Sequence, residues 1–272
     1  MALGAMITMA AMTAHAAEAT FERDLSVSGQ VELTVATGSG SIQLSEGPAG
    51  QVHIVGRVRS SWGASDEQVQ QIADHPPVEQ TGNIVRVGAE HENLRNISID
   101  YEIVAPANAF LTAQSGSGNV SDDGVGTDAK LSTGPGSIHA TGLQGAPSLD
   151  TGSGNIYAEL TGDGDARAQT GSGSIELHGV RGALKAETGS GNIKVDGRPI
   201  GPWKLTTGSG SVELWTADSP FTLDAQTGSG SIHSDREMLT QGTEEHHHLT
   251  GKIGGGGPMV RIETGSGSIK IH

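Results

Sequence analysis

Thr170-Gly171-Ser172-Gly173-Ser174-Ile175 is one of nine near-identical hexapeptides in this chain, and how that segment is read decides the fold. The pattern T-G-S-G-[SN]-[IV] starts at Thr37, Ser115, Thr133, Thr151, Thr170, Thr188, Thr207, Thr227 and Thr264. From Ser115 to Thr227 the copies lie 18, 18, 19, 18, 19 and 20 residues apart, a period that belongs to solenoids. Both glycines occur in every copy: Gly38 and Gly40, Gly116 and Gly118, Gly134 and Gly136, Gly152 and Gly154, Gly171 and Gly173, Gly189 and Gly191, Gly208 and Gly210, Gly228 and Gly230, Gly265 and Gly267. Glycine reaches positive φ and lets backbones approach closely. Two of them around a small residue therefore specify a tight corner, repeated at the same place in coils stacked about 4.8 Å apart. Pro135 replaces the middle serine once, which a corner with no ladder N–H to give tolerates.

The flanks alternate with period two, the signal of a strand. Five residues past the Thr stand Ile42, Val120, Ile138, Ile156, Ile175, Ile193, Val212, Ile232 and Ile269; the next position is polar in almost every copy. Two residues before the Thr stand Val35, Ala113, Leu131, Leu149, Ala168, Ala186, Leu205, Ala225 and Ile262, and four before it another small or apolar set that includes Leu184 and Trp203. These columns point inward. Val125, Leu143, Val180 and Ile200 mark a short third side. Each coil has too few buried side chains to stand alone, so stacking must make the core continuous. The expected fold is all-β, a right-handed parallel β-solenoid (β-helix) with about 18–20 residues per coil, since parallel crossovers are right-handed. An irregular N-terminal cap with one short helix completes it.

Taken in order, residues 1–16 are small and apolar, end in Ala14-His15-Ala16, and resemble a secretory signal without the usual preceding Lys or Arg. Residues 20–109 read as N-terminal strands and cap. Within them Ser65 to Asp74 is a helix, with Ser65 and Gln68 in capping-box spacing and Pro76-Pro77 stopping it. Regular coils occupy 110–272, so that 20–272 forms one continuous domain, and the chain closes on a terminal coil whose open edge Lys270 and His272 blunt. The net charge is −15, which excludes a nucleic-acid backbone as partner. The chain has no Cys, hence no disulfide and no thiol chemistry. No stretch is long and apolar enough to span a membrane.

Tyr101-Glu102-Ile103-Val104-Ala105-Pro106-Ala107, leading into Phe110-Leu111-Thr112-Ala113-Gln114-Ser115-Gly116-Ser117-Gly118, resembles the opening of the bacterial candidate-adhesin β-strand-repeat family, a domain of unknown function. Leu249-Thr250-Gly251-Lys252-Ile253, followed by Gly254 to Gly257, is similar to that family's C-terminal end. The resemblance covers nearly the whole chain after the leader-like segment. It implies architecture and carries no catalytic residues.

Chemistry is sparse. T-G-S-G-S is followed by a strand, whereas a phosphate-binding glycine loop opens a helix. The calcium-binding nonapeptide needs Asp where these motifs carry Ser or Asn. Glu244-Glu245-His246-His247-His248 has metal-ligand residue types but reads as a polar loop, so no cofactor or metal is implied. Glu159, His178 and Asp196 recur eight residues after the Thr on consecutive coils, a row with acid–base residue types; no aromatic row is expected beside it. Three residues before the Thr stand Lys130, Ser148, Arg167, Lys185, Lys204, Asp224 and Arg261. This column is basic in an acidic chain. Either Asp150, Glu187 and Glu263, two positions later, neutralise it, or it forms a shallow groove for an anionic glycan or surface polymer.

Three function classes follow, in order: an exported, non-catalytic, adhesin-like module that binds a glycan or surface polymer at the cell envelope or surface, through Lys130, Arg167, Lys185 and Lys204; a structural or regulatory envelope component recognised by a protein partner; and an enzyme acting on polysaccharide.

Overall fold

The computed structural model describes residues 17–60, 65–88, 96–240 and 247–272. The leader-like segment and Glu244 to His246 lie outside them. Most of the described residues are in strands, and among them there is one helix, Asp66–Asp74. The strands form a single solenoid-like stack in which each coil contributes one strand before its corner and one after. Along the regular coils the residues flanking the corner pair with their motif equivalents, as in Ala168 with Ala186 and Leu205, or Ile156 with Ile175 and Ile193. The inward columns are buried: Ile175, Ile193, Ala186 and Leu205 have no exposed surface. Ile200 departs from expectation. It is 62% exposed, because that coil carries extra residues and its register shifts between Gly182 and Leu184, pairing Gly182 with Pro199 and Leu184 with Trp203.

The hexapeptide is explained by one carbonyl. Gly118 O accepts a hydrogen bond from Thr133 Oγ1 in the next coil at 2.6 Å. A Cβ on Gly136 would lie 2.0 Å from that same oxygen. Thr151 and Gly154 treat Gly136 O in the same way, as Thr170 and Gly173 treat Gly154 O. The Thr side chains are buried, so each hydroxyl needs this partner. The fifth position forms a second ladder: Asn155 Oδ1 accepts from Ser174 N, Ser174 Oγ from Asn192 N, and Asn192 Oδ1 from Ser211 N. Positive φ is therefore not the general reason for the glycines. Among the corner glycines only Gly230 and Gly267 have it, at 150° and 152°; for the others, closeness of the neighbouring backbone decides.

Coil order departs from chain order at both ends. The strand Glu32–Thr37 lies between Ile84–Val87 and Phe110–Ser115, and Ile42–Gly47 lies between Ile97–Pro106 and Val120–Asp123. At the other end Met259–Ser266 lies between Ile193–Ser209 and Phe221–Ser229, and Ile269–Ile271 lies between Val212–Trp215 and Ile232–Ser234. The coil at Thr264 is thus internal, not terminal as chain order suggests. The antiparallel strand His248–Ile253 pairs with Phe221–Ser229 and returns the chain to fill that place. At the N-terminal end antiparallel Glu18–Ser26 and Gln51–Ser60 cover Ile97–Pro106. The helix packs on them through Val69, with Ser65 and Gln68 forming the capping box.

One buried acid interrupts the core. Asp122, 2% exposed, stands in register with Leu44 and Ala140. Its Oδ1 accepts from Val125 N at 3.1 Å, and its Oδ2 has no partner. Burial pushes the carboxyl up to about 7.

Candidate functional site

Before the corner, alternation places every second side chain on the outer face. In stack order the position three before the Thr reads Lys130, Ser148, Arg167, Lys185, Lys204, Arg261, Asp224. Insertion of the Thr264 coil moves Arg261 between Lys204 and Asp224. Four cations therefore stand on consecutive coils, from Arg167 to Arg261, while Lys130 is separated from them by Ser148. Two positions earlier on the same face come Asp165, Ala183, Pro202 and Met259. These residues are mostly short, and a groove of about 500 Å³ opens along them, bounded by the four cations and floored by Ala166, Leu184 and Trp203. Trp203 is 1% exposed and donates from Nε1 to Gly182 O at 2.8 Å, which fixes the floor.

The cations differ in their partners. Lys185 Nζ lies 2.8 Å from Glu187 Oε2. Burial alone would raise the Glu187 carboxyl, but hydrogen bonds from Lys185 and Gln169 and the charge of Lys204 lower its pKa below the ordinary value. Arg167 Nη2 donates to Gln169 Oε1 at 2.7 Å, not to Asp150. Arg261 Nε donates to Asp224 Oδ2 at 3.1 Å, not to Glu263, and Asp224 Oδ1 meets His248 Nε2 at 3.0 Å. Among the described residues Lys130 and Lys204 make no ion pair. The expected neutralisation thus holds for Lys185 alone in the form the sequence suggested.

After the corner the outer face carries the acid–histidine row. Glu159 stands in register with His178. His178 Nδ1 is hydrogen-bonded to Asp196 Oδ2, and its Nε2 lies 3.2 Å from Glu176 Oε1. Partial burial disfavours the imidazolium, yet Asp196 and then Glu176 outweigh it and raise the His178 pKa. With both ring nitrogens held by carboxylates, His178 offers neither to a substrate. Aromatic rings do accompany this row, contrary to expectation. His139 stacks on Tyr157 with centroids 4.7 Å apart, Tyr157 tilts against His178 at 5.4 Å, and Trp215 stacks on His272 at 5.0 Å. His139 and Tyr157 were visible as successive members of one outward column; the Trp215–His272 pair was not, because it depends on the inserted final coil.

Residues 27–272 match the model of a family described as Toastrack DUF4097. No curated protein matches the chain by sequence. Solved structures with a similar arrangement include a candidate lipid binding protein from Parabacteroides distasonis, at 15% identity, with a TM-score of 0.47, covering 93% of this chain and 96% of the other. A candidate adhesin from Bacteroides fragilis has 12% identity and a TM-score of 0.43, over 93% of this chain and 97% of its own. A candidate cell adhesion protein from Clostridium sporogenes has 12% identity and a TM-score of 0.25, over 93% and 99%.

Proposed function

This chain belongs to the Toastrack DUF4097 family, and from that premise and its own surface we propose that it is an exported, non-catalytic binding module of the cell envelope or surface. Its coils wind right-handed, the hand that crossovers favour, and its cationic row holds an anionic polymer such as an acidic glycan. One observation carries the reading: Arg167, Lys185, Lys204 and Arg261 occupy consecutive coils beside a groove of about 500 Å³ in a chain of net charge −15. Like charges about 4.8 Å apart repel. Such a row is easier to maintain when an anion bridges it. The surrounding negative charge keeps polyanions off the rest of the surface. Lys130 extends the row beyond the uncharged Ser148.

The test is binding of acidic polysaccharide to the parent and to a variant with Arg167, Lys185, Lys204 and Arg261 changed to Gln. Binding should be lost without loss of folding, should weaken with salt in the parent because exposed charges are screened, and should fall less for Lys130→Gln alone. Unchanged binding by the quadruple variant contradicts the proposal. Capture of an envelope protein without polymer binding supports the structural alternative instead.

A further inference from the structure

We propose that the polymer this row accepts is a linear polyuronate, a glycan with one carboxylate on each sugar, lying along the stack axis with about one sugar per coil; this rests on the binding reading above. Arg167, Lys185, Lys204 and Arg261 are register partners in sequence. Their cations therefore repeat once per coil, about every 4.8 Å, and four rungs span about 14 Å. A chain of 1,4-linked pyranose uronates advances by close to one coil spacing per sugar, and so carries one charge per rung. The long stems of Lys and Arg reach carboxylates on either edge of such a chain. A poly(glycerol phosphate) advances farther per charge and falls out of step with the row.

The second observation is the track beside the cations. Ala183, Pro202 and Met259 lie two positions before Lys185, Lys204 and Arg261 and line the same groove, so the track is apolar on three coils and ends at Asp165 beside Arg167. Met259 is 44% exposed. A bare polyanion has no use for an apolar track, whereas the C–H face of a sugar ring packs on one. Lys204, in the middle of the row with no ion pair among the described residues, is the anchor. Arg167 and Arg261 exchange Gln169 and Asp224 for carboxylates that a guanidinium can hold with two parallel hydrogen bonds.

The experiment is calorimetric titration of the whole protein with oligogalacturonides of two, four and eight sugars, with the methyl-esterified oligomers, and with poly(glycerol phosphate). Affinity should rise about tenfold or more from two sugars to four, each added carboxylate meeting a charged donor, and then level off per site. Methyl esters should not bind. Lys204→Gln should weaken the four-sugar ligand about tenfold, and Met259→Ser should weaken it less. Poly(glycerol phosphate) binding as tightly as the uronates, or no length dependence, overturns the polyuronate assignment and leaves the anionic-polymer reading standing. Failure of every anion to bind overturns both.

Discussion

At the scale of single residues, the corner glycines separate into those that face a neighbouring backbone and one that does not. A Cβ on Gly173 would sit 1.9 Å from Gly154 O, whereas a Cβ on Gly38 meets nothing within 4 Å. Gly173→Ala should therefore cost roughly 3 kcal/mol or more as overpacking against a backbone that cannot yield, while Gly38→Ala should change stability by no more than about 0.5 kcal/mol. Equilibrium unfolding in urea measures both. Asp122 gives the second residue-scale test. In the unfolded chain its carboxyl ionises near 3.8; in the folded protein burial holds it protonated up to about 7. Above about 4 the unfolded state has shed a proton that the folded state keeps, so this group lowers stability progressively from about pH 4 to about pH 7 and no further above that. Asp122→Asn should be more stable than the parent at pH 8 by a few kcal/mol, with the difference shrinking as pH falls toward 4. A gap that stays constant with pH would show that Asp122 does not titrate as described. The sequence pattern hides this residue, since its column is otherwise apolar or small over most of the stack.

At the scale of strands and coils, the inward and outward columns were legible because period two assigns every side chain to a face once one Ile is known to be buried. Ile175 is fully buried, in register with Ile156 and Ile193. Ile175→Asp places an unpaired carboxylate in the stack and should cost several kcal/mol. Tyr157→Ser, one coil away on the outer face, loses a stacking contact with His139 and should cost about 1 kcal/mol. Equal thermal shifts for the two variants would contradict the assignment of faces. What the repeat does not carry is the order of coils. Every coil offers the same corner, the same carbonyl and the same columns, so the Thr264 coil fits beside Thr207 or beyond Thr227 equally well on local grounds. The antiparallel return through His248–Ile253 decides it. Thr206 and Glu263 are register partners, while Gln226 faces Glu263 from the other side. In this cysteine-free chain, Cys at 206 and 263 should form a disulfide readily, since in-register neighbours on adjacent strands have Cα atoms within bridging distance; Cys at 206 and 226 should not.

At the scale of the whole molecule, the candidate face is a property of stacking. No coil alone carries more than one cation of the row. Lys185, Lys204 and Arg167 were legible as a column, because one residue per repeat becomes one residue per coil. Arg261 was in the same column, but its place beside Lys204 depended on the inserted final coil. The groove depended on the short residues Ala183 and Pro202, which no periodic signal marks. The measurement that bears most directly on the central claim is hydrogen exchange of the protein with and without saturating oligogalacturonide. Slowed exchange should be confined to 166–169, 184–187, 203–206 and 260–263, on four neighbouring coils of one face. Slowing centred instead on the outer face after the corner, around Tyr157, His178 and Trp215, or spread evenly along the stack, would contradict that assignment.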